Sequence, residues 1–216
     1  MLRRSGSYVM SERSFFQEEA RTAVREAIET VESQTSAELV VAVRPRAASY
    51  LAVDVLVGCL AAFGALLLLL FHPMRFEIAW MPAEVALAFL LGCFLSWGYG
   101  DLKRWVVPAR YQRRATWREA CTVFHERRVS ATSGRNGLLV FVSLLERRIE
   151  VVTDIGIDTD VLGEGWPAAL ESLQTTVRKP DLTRFVDALK ALGPLLGATM
   201  PREEHDINEL TDEMDL

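Results

Sequence analysis

Histidine and cysteine are scarce in this chain, with three of each among 216 residues. His72, His125 and His205 are too dispersed for any spacing to unite them into a metal triad or a nucleophile–base pair. Cys59, Cys93 and Cys121 show no metal-ligand spacing and no C-x-x-C, so they read as packing residues in a reducing compartment. There is no phosphate-cradling glycine loop and no G-x-S-x-G elbow. A basic surplus is also missing: 24 Lys and Arg face 29 Asp and Glu, a net charge of −5. Nucleic-acid binding therefore has no compositional support. Residues 1–36 contain no uninterrupted apolar core, so no cleavable signal peptide is expected.

Charge is instead excluded from two stretches. Residues 51–71 (LAVDVLVGCLAAFGALLLLLF) and 78–99 (IAWMPAEVALAFLLGCFLSWGY) carry only Asp54 and Glu84, each near an end. Each has about the twenty residues a helix needs to cross the hydrocarbon core of a bilayer. The short link between them makes region 50–100 a transmembrane helical hairpin, with Trp80, Trp97, Tyr99 and Trp105 as interfacial anchors. Arg44 and Arg46 precede the first span, and Lys103, Arg104, Arg110, Arg113 and Arg114 follow the second. The connecting loop has Arg75, offset by Glu77. The positive-inside rule then places both termini in the cytoplasm, in a cell inner (plasma) membrane protein. Gly58, Ala62 and Ala65 on one span and Ala88, Gly92 and Ser96 on the other form small faces that should meet. Lys103 or Arg104 can snorkel to Asp54.

The flanks read as one α/β domain. Residues 14–32 predict an amphipathic helix, with Ser14 and Gln17 at capping-box spacing and an apolar stripe of Phe16, Ala20, Ala23, Val24, Ala27, Ile28 and Val31. Residues 37–43 predict a strand. A charged helix follows over 109–129, with Trp117, Ala120, Val123 and Phe124 inward. Residues 137–144, nearly all apolar, predict a strand covered on both faces. Glu146 and Arg147 make a polar turn into a second strand at 149–153. Pro167 marks a helix over 166–177, and Asp181 caps a last helix carrying Leu182, Phe185, Val186, Leu189 and Leu192. A strand, a helical crossover and a strand are parallel and right-handed; the third strand is then antiparallel to the second. The expected fold is a small mixed β-sheet flanked by helices, with the hairpin inserted after the first strand. The tail from 201 to 216 sets seven carboxylates against Arg202 alone, so it is expected to be disordered.

The entry Asn136-Gly137, the apolar run Leu138 to Leu145, the turn Glu146-Arg147-Arg148 and the strand Ile149-Glu150-Val151 ending near Gly156 together resemble the TPM domain family. Glu32 to Val43 is similar to that family's first helix-to-strand passage. The resemblance covers residues 14–48 plus 109–198 and implies a TPM-like discontinuous domain. It includes thylakoid-lumen proteins described as acid phosphatases and an auxiliary membrane protein of acetylcholine receptors. In this chain the spans interrupt the domain, whereas the commonest arrangement places them after it.

The candidate site is the loop after the last strand, where Asp154, Asp158, Asp160 and Glu164 could offer oxygen ligands to Ca²⁺ or Mg²⁺. The competing and commoner reading is a solvated acidic loop. As an EF-hand it fails, since Gly156, Thr159 and Gly165 stand where a carboxylate, the turn glycine and the bidentate glutamate belong. Two functions remain open. One is a non-catalytic, cytoplasm-facing interaction or assembly module for other membrane proteins, in contact with the lipid bilayer. The alternative is a divalent-metal-dependent phosphatase using loop 154–164, for which the family resemblance is the ground.

Overall fold

The computed structural model describes residues 17–72, 77–178, 181–202 and 210. In chain order the elements are α1 (Glu18–Glu32), β1 (Glu38–Arg44), α2 (Leu51–Phe71), α3 (Met81–Gly98), α4 (Gly100–Val106), α5 (Ala109–Glu126), a 3-10 turn at Val129–Ala131, β2 (Gly137–Ser143), β3 (Arg148–Thr153), α6 (Gly165–Arg178), α7 (Leu182–Lys190) and α8 (Leu192–Gly197). The chain divides into two compact units, 1–47 with 114–216, and 48–113.

The first unit is built on a three-stranded mixed sheet in the order β1-β2-β3. β1 and β2 are parallel, from Glu38 opposite Gly137 to Arg44 opposite Ser143. β3 returns antiparallel to β2, from Leu138 opposite Thr153 to Ser143 opposite Arg148. Alternation along the strands sends Leu39, Val41, Val43, Leu138, Val140 and Val142 to one face. There they meet the buried stripes of α1, α6, α7 and α8, among them Ile28, Leu173, Phe185, Leu189 and Leu196. Val40, Ala42, Leu139 and Phe141 point the other way, under Ala120, Val123 and Phe124 of α5 and Val129 of the 3-10 turn. Both faces of the central strand are therefore covered, which explains its unbroken apolar run. Each fully buried Leu or Phe contributes roughly 1.5–3 kcal/mol.

Several boundaries differ from expectation. The first helix begins at Glu18 with Gln17 at the N-cap and no side-chain cap bond, so Gln17 is not part of a capping box; Ser14 and Phe16 lie outside the described residues. Trp117 is half exposed, because the buried stripe of α5 runs through Thr116, Ala120 and Val123, one position away. Asp181 does cap α7, its carboxylate accepting from Arg184 N at 3.2 Å. The last helix divides at Ala191: Pro194 clashes with a continuing ladder, so α8 starts as a separate turn. Of the tail from 201 to 216, residues 203–209 and 211–216 lie outside the described residues; Pro201, which bridges to Thr35, Arg202 and Leu210 are described, and beyond Arg202 that leaves Leu210. It packs against the second sheet face, and its N–H donates to Glu38 Oε2 at 3.2 Å.

Two side chains close the edges of the sheet. Glu32 Oε1 accepts from Leu39 N of β1 at 2.9 Å. On β3, Gln174 accepts from Ile149 N at 3.1 Å and donates to Arg147 O at 2.9 Å. At the turn between β2 and β3, Glu146 is buried and accepts from Ala47 N at 3.1 Å and from the Ser143 hydroxyl. The turn expected to be merely polar thus also fastens the chain leaving β1.

In the second unit α2 and α3 pack antiparallel, with Gly58 against Phe89 and Cys93, and Gly92 against Ala61. Gly58 and Gly92 of the expected small faces do meet, while Ala61, Phe89 and Cys93, which lie outside those faces, complete the contact. Both helices are long and apolar enough to cross a membrane, and 17% and 11% of their most apolar windows are buried.

Gly137 opens β2 directly under the Val129 carbonyl, so that any Cβ would overlap that oxygen. Gly137→Ala should destabilise the protein by about 1–3 kcal/mol. Gly64→Ala, at a position with open space around it, should leave the melting temperature of the detergent-solubilised chain unchanged.

Candidate functional site

The β2–β3 pairing brings the residues before β2 beside those after β3. Asp154 N donates to Gly137 O at 2.9 Å, and Gly156 N donates to Arg135 O at 2.8 Å. Arg135 takes a left-handed backbone, φ 51°, a conformation that costs a side-chain-bearing residue about 1–2 kcal/mol. Its guanidinium reaches the buried Asp154 carboxylate twice, Nε to Oδ2 at 2.8 Å and Nη2 to Oδ1 at 2.9 Å. Ile155 N donates a further hydrogen bond to Oδ1 at 2.8 Å. Of the two guanidinium approaches, Nη2 to Oδ1 is a hydrogen bond and Nε to Oδ2 an ion-pair contact; a charge-assisted hydrogen bond of this kind is stronger than a neutral one.

The four carboxylates of the acidic loop are placed in different surroundings. Asp154 is turned inward and held by Arg135, while Asp158, Asp160 and Glu164 are exposed. Asp158 Oδ1 accepts from Asp160 N at 3.0 Å, a local turn that spends the carboxylate on its own backbone. Among the described residues no group of three or more His, Cys, Asp or Glu side chains is placed to hold a metal ion. What the loop does present is apolar: Ile155 is 83% and Val161 64% exposed. The sequence pattern alone did not single out these two, nor the Arg135–Asp154 pair. The hairpin register carries the signal for the pair, because Leu138 opposite Thr153 puts Asp154 level with Gly137 and Arg135 level with Gly156, within diagonal reach of each other.

A second polar centre lies in the unit holding α2 to α4. Asp54, in the first turn of α2, accepts from the Ser96 hydroxyl of α3 at 2.7 Å and pairs with Lys103 Nζ of α4 at 3.1 Å. The Lys103 and Asp54 side chains are 5% and 10% exposed. Lys103 is thus the partner, while Arg104 pairs with Asp101 at 3.0 Å. Ser96, read from the sequence as a small face residue, is also a hydrogen-bond donor. α4 was not anticipated as a separate helix, yet it is what returns Lys103 to Asp54.

Neither histidine within the described residues joins these centres: His125 stacks edge-on with Phe124 on α5, and His72 follows α2. His205 lies outside the described residues. Burial, and then the nearby Glu150 carboxylate, push the Cys121 thiol up, which keeps it protonated and a poor nucleophile at neutral pH.

No family model matches the chain, and none of the curated proteins compared with it does. Among solved structures it is similar to the NMR structure of BA42 protein from the psychrophilic bacterium Bizionia argentinensis. The TM-score is 0.57 at 17% identity, over 95% of this chain and 97% of that one. The likeness is one of fold.

Lys103→Met strands Asp54 as a buried, unpaired carboxylate and should destabilise the fold by about 3–5 kcal/mol. Adding Asp54→Asn should recover most of that loss, since it removes the stranded charge. Unfolding of the four chains of this cycle in mixed detergent micelles measures both effects; equal stability throughout would show the pair to be dispensable.

Proposed function

We propose that the chain is an integral membrane protein of the inner (plasma) membrane, with α2 and α3 as its transmembrane hairpin and both termini in the cytoplasm. On this reading its α/β unit is a TPM-like module that binds or helps assemble other membrane proteins without catalysis. One observation carries the reading: Leu60, Phe63, Leu68, Leu90 and Phe94 of the two long apolar helices face outward, a surface that water disfavours and lipid accepts. Trp80, Trp97, Tyr99 and Trp105 are exposed near the ends of these helices, as interfacial anchors are.

The interaction role is supported by the loop at the end of β3. Its backbone is pinned by Arg135 and Asp154, so Ile155 and Val161 are exposed from a fixed frame. Preorganised apolar side chains lower the entropy cost of docking. The carboxylates at 158, 160 and 164 beside them favour a partner with basic residues.

With Cys59, Cys93 and Cys121 replaced by alanine, a single cysteine at Glu77 should react with a membrane-impermeant maleimide from outside the cell. One at Arg202 should react only after the membrane is opened. Labelling of both from the same side would remove the hairpin. Catalysis is tested separately, by measuring phosphatase turnover of the detergent-purified chain with Mg²⁺ or Ca²⁺. The wild type should match a protein-free blank. Metal-dependent turnover that disappears in Asp158→Asn/Asp160→Asn would replace the assembly role with a phosphatase.

A further inference from the structure

α2, α3 and α4 enclose an open groove of about 590 Å³. Its body is apolar, with Ala61 and Gly92 among its lining residues and Leu95 along a wall. The small residues are what let α2 and α3 approach closely there. At Tyr99 the backbone leaves the helical region (φ −105°, ψ 90°) and α4 begins. Asp101 and Trp105 therefore line the same groove as Ala61 and Gly92. Charge enters the lining through Asp101, whose exposed carboxylate lies 3.0 Å from Nη2 of Arg104; Arg104 stands beside the lining, largely buried, so a cation and an anion are adjacent at the α4 end.

In a bilayer such a groove does not stay empty, because an unfilled apolar surface forfeits its dispersion contacts. α4 contributes to its lining, so a straight partner helix lying along α3 would meet α4. A flexible acyl chain tolerates that boundary, because only its headgroup must reach the α4 end. There the paired charges complement a zwitterion. A phosphate suits the Arg104 guanidinium, and a primary ammonium can donate hydrogen bonds to the Asp101 carboxylate. A quaternary ammonium has no proton to donate, and a glycerol headgroup has no cation. Resting on the membrane reading above, the geometry points to this groove as a binding site for one phospholipid with a phosphoethanolamine headgroup.

The full-length chain, reconstituted in nanodiscs of equal parts phosphatidylethanolamine, phosphatidylcholine and phosphatidylglycerol, can be released into native mass spectrometry. The wild type should retain the ethanolamine lipid about fivefold over each of the others, as expected for a charge-assisted headgroup contact. Asp101→Asn, on an exposed side chain, should abolish that preference while total lipid retention persists. Leu95→Trp, which fills the groove from its exposed wall, should lower retention of all three lipids. Equal retention by the wild type, or a preference that survives both variants, overturns the site. So does efficient disulfide-linked dimerisation through Leu95→Cys in intact membranes, which would assign the groove to a second copy of the chain. Alkaline carbonate extraction reads the underlying premise independently: release of the chain into the supernatant would sink the membrane reading itself, whereas retention with no lipid preference would sink only the site.

Discussion

The parallel pairing of β1 with β2 constrains everything else in the chain. Adjacent antiparallel strands can be joined by a tight turn, but parallel ones need a crossover that carries the chain back to the starting end. Here that crossover contains α2 to α5, and about a hundred residues separate paired positions of the two strands. The sheet therefore cannot close from either flank alone. Its closure is secured at both ends of the pair. Glu38 N donates to Asn136 O at one end, and Leu144 N donates to Arg44 O at the other. Glu146 then secures Ala47, just where the chain departs.

Two buried carboxylates fix local arrangements in this fold. Asp154 converts an otherwise ordinary loop into a frame by engaging Arg135. Asp54 does the same between helices, drawing a hydroxyl from α3 and an ammonium from α4 to one oxygen. A carboxylate buried alone would be costly, so each of these positions admits few alternative arrangements. That offers a physical reason for acidic residues in places where an apolar residue would pack more easily.

Much of this was legible in the sequence because the governing patterns are short-range. The apolar run at 137–144 and the polar turn after it specify a strand pair. The absence of charge over 51–71 and the small residues at 58 and 92 specify two helices in close contact. What escaped depends on register and rotation, which are properties of assembled elements. Asp154 looks like its acidic neighbours until the strand pairing places Arg135 against it. Trp117 looks buried until the stripe on α5 is seen to run through Thr116. Leu210 stands in a tail whose composition argues against order, yet the second sheet face leaves room for one more apolar side chain. The exposure of Ile155 and Val161 follows from how the loop is pinned, which no periodicity encodes.

The small sheet has two edge strands, and a side chain engages backbone groups at each: Glu32 at Leu39 of β1, and Gln174 at Ile149 of β3 and at Arg147 just before it. For a protein dilute in water this would be a minor safeguard. On the membrane reading proposed above, confinement to a surface would change the arithmetic, since tethering multiplies the effective concentration at which identical copies meet. A bare strand edge under those conditions is a template for its neighbours. By engaging Leu39 N, Ile149 N and Arg147 O, Glu32 and Gln174 leave less of each edge open to pairing with another copy.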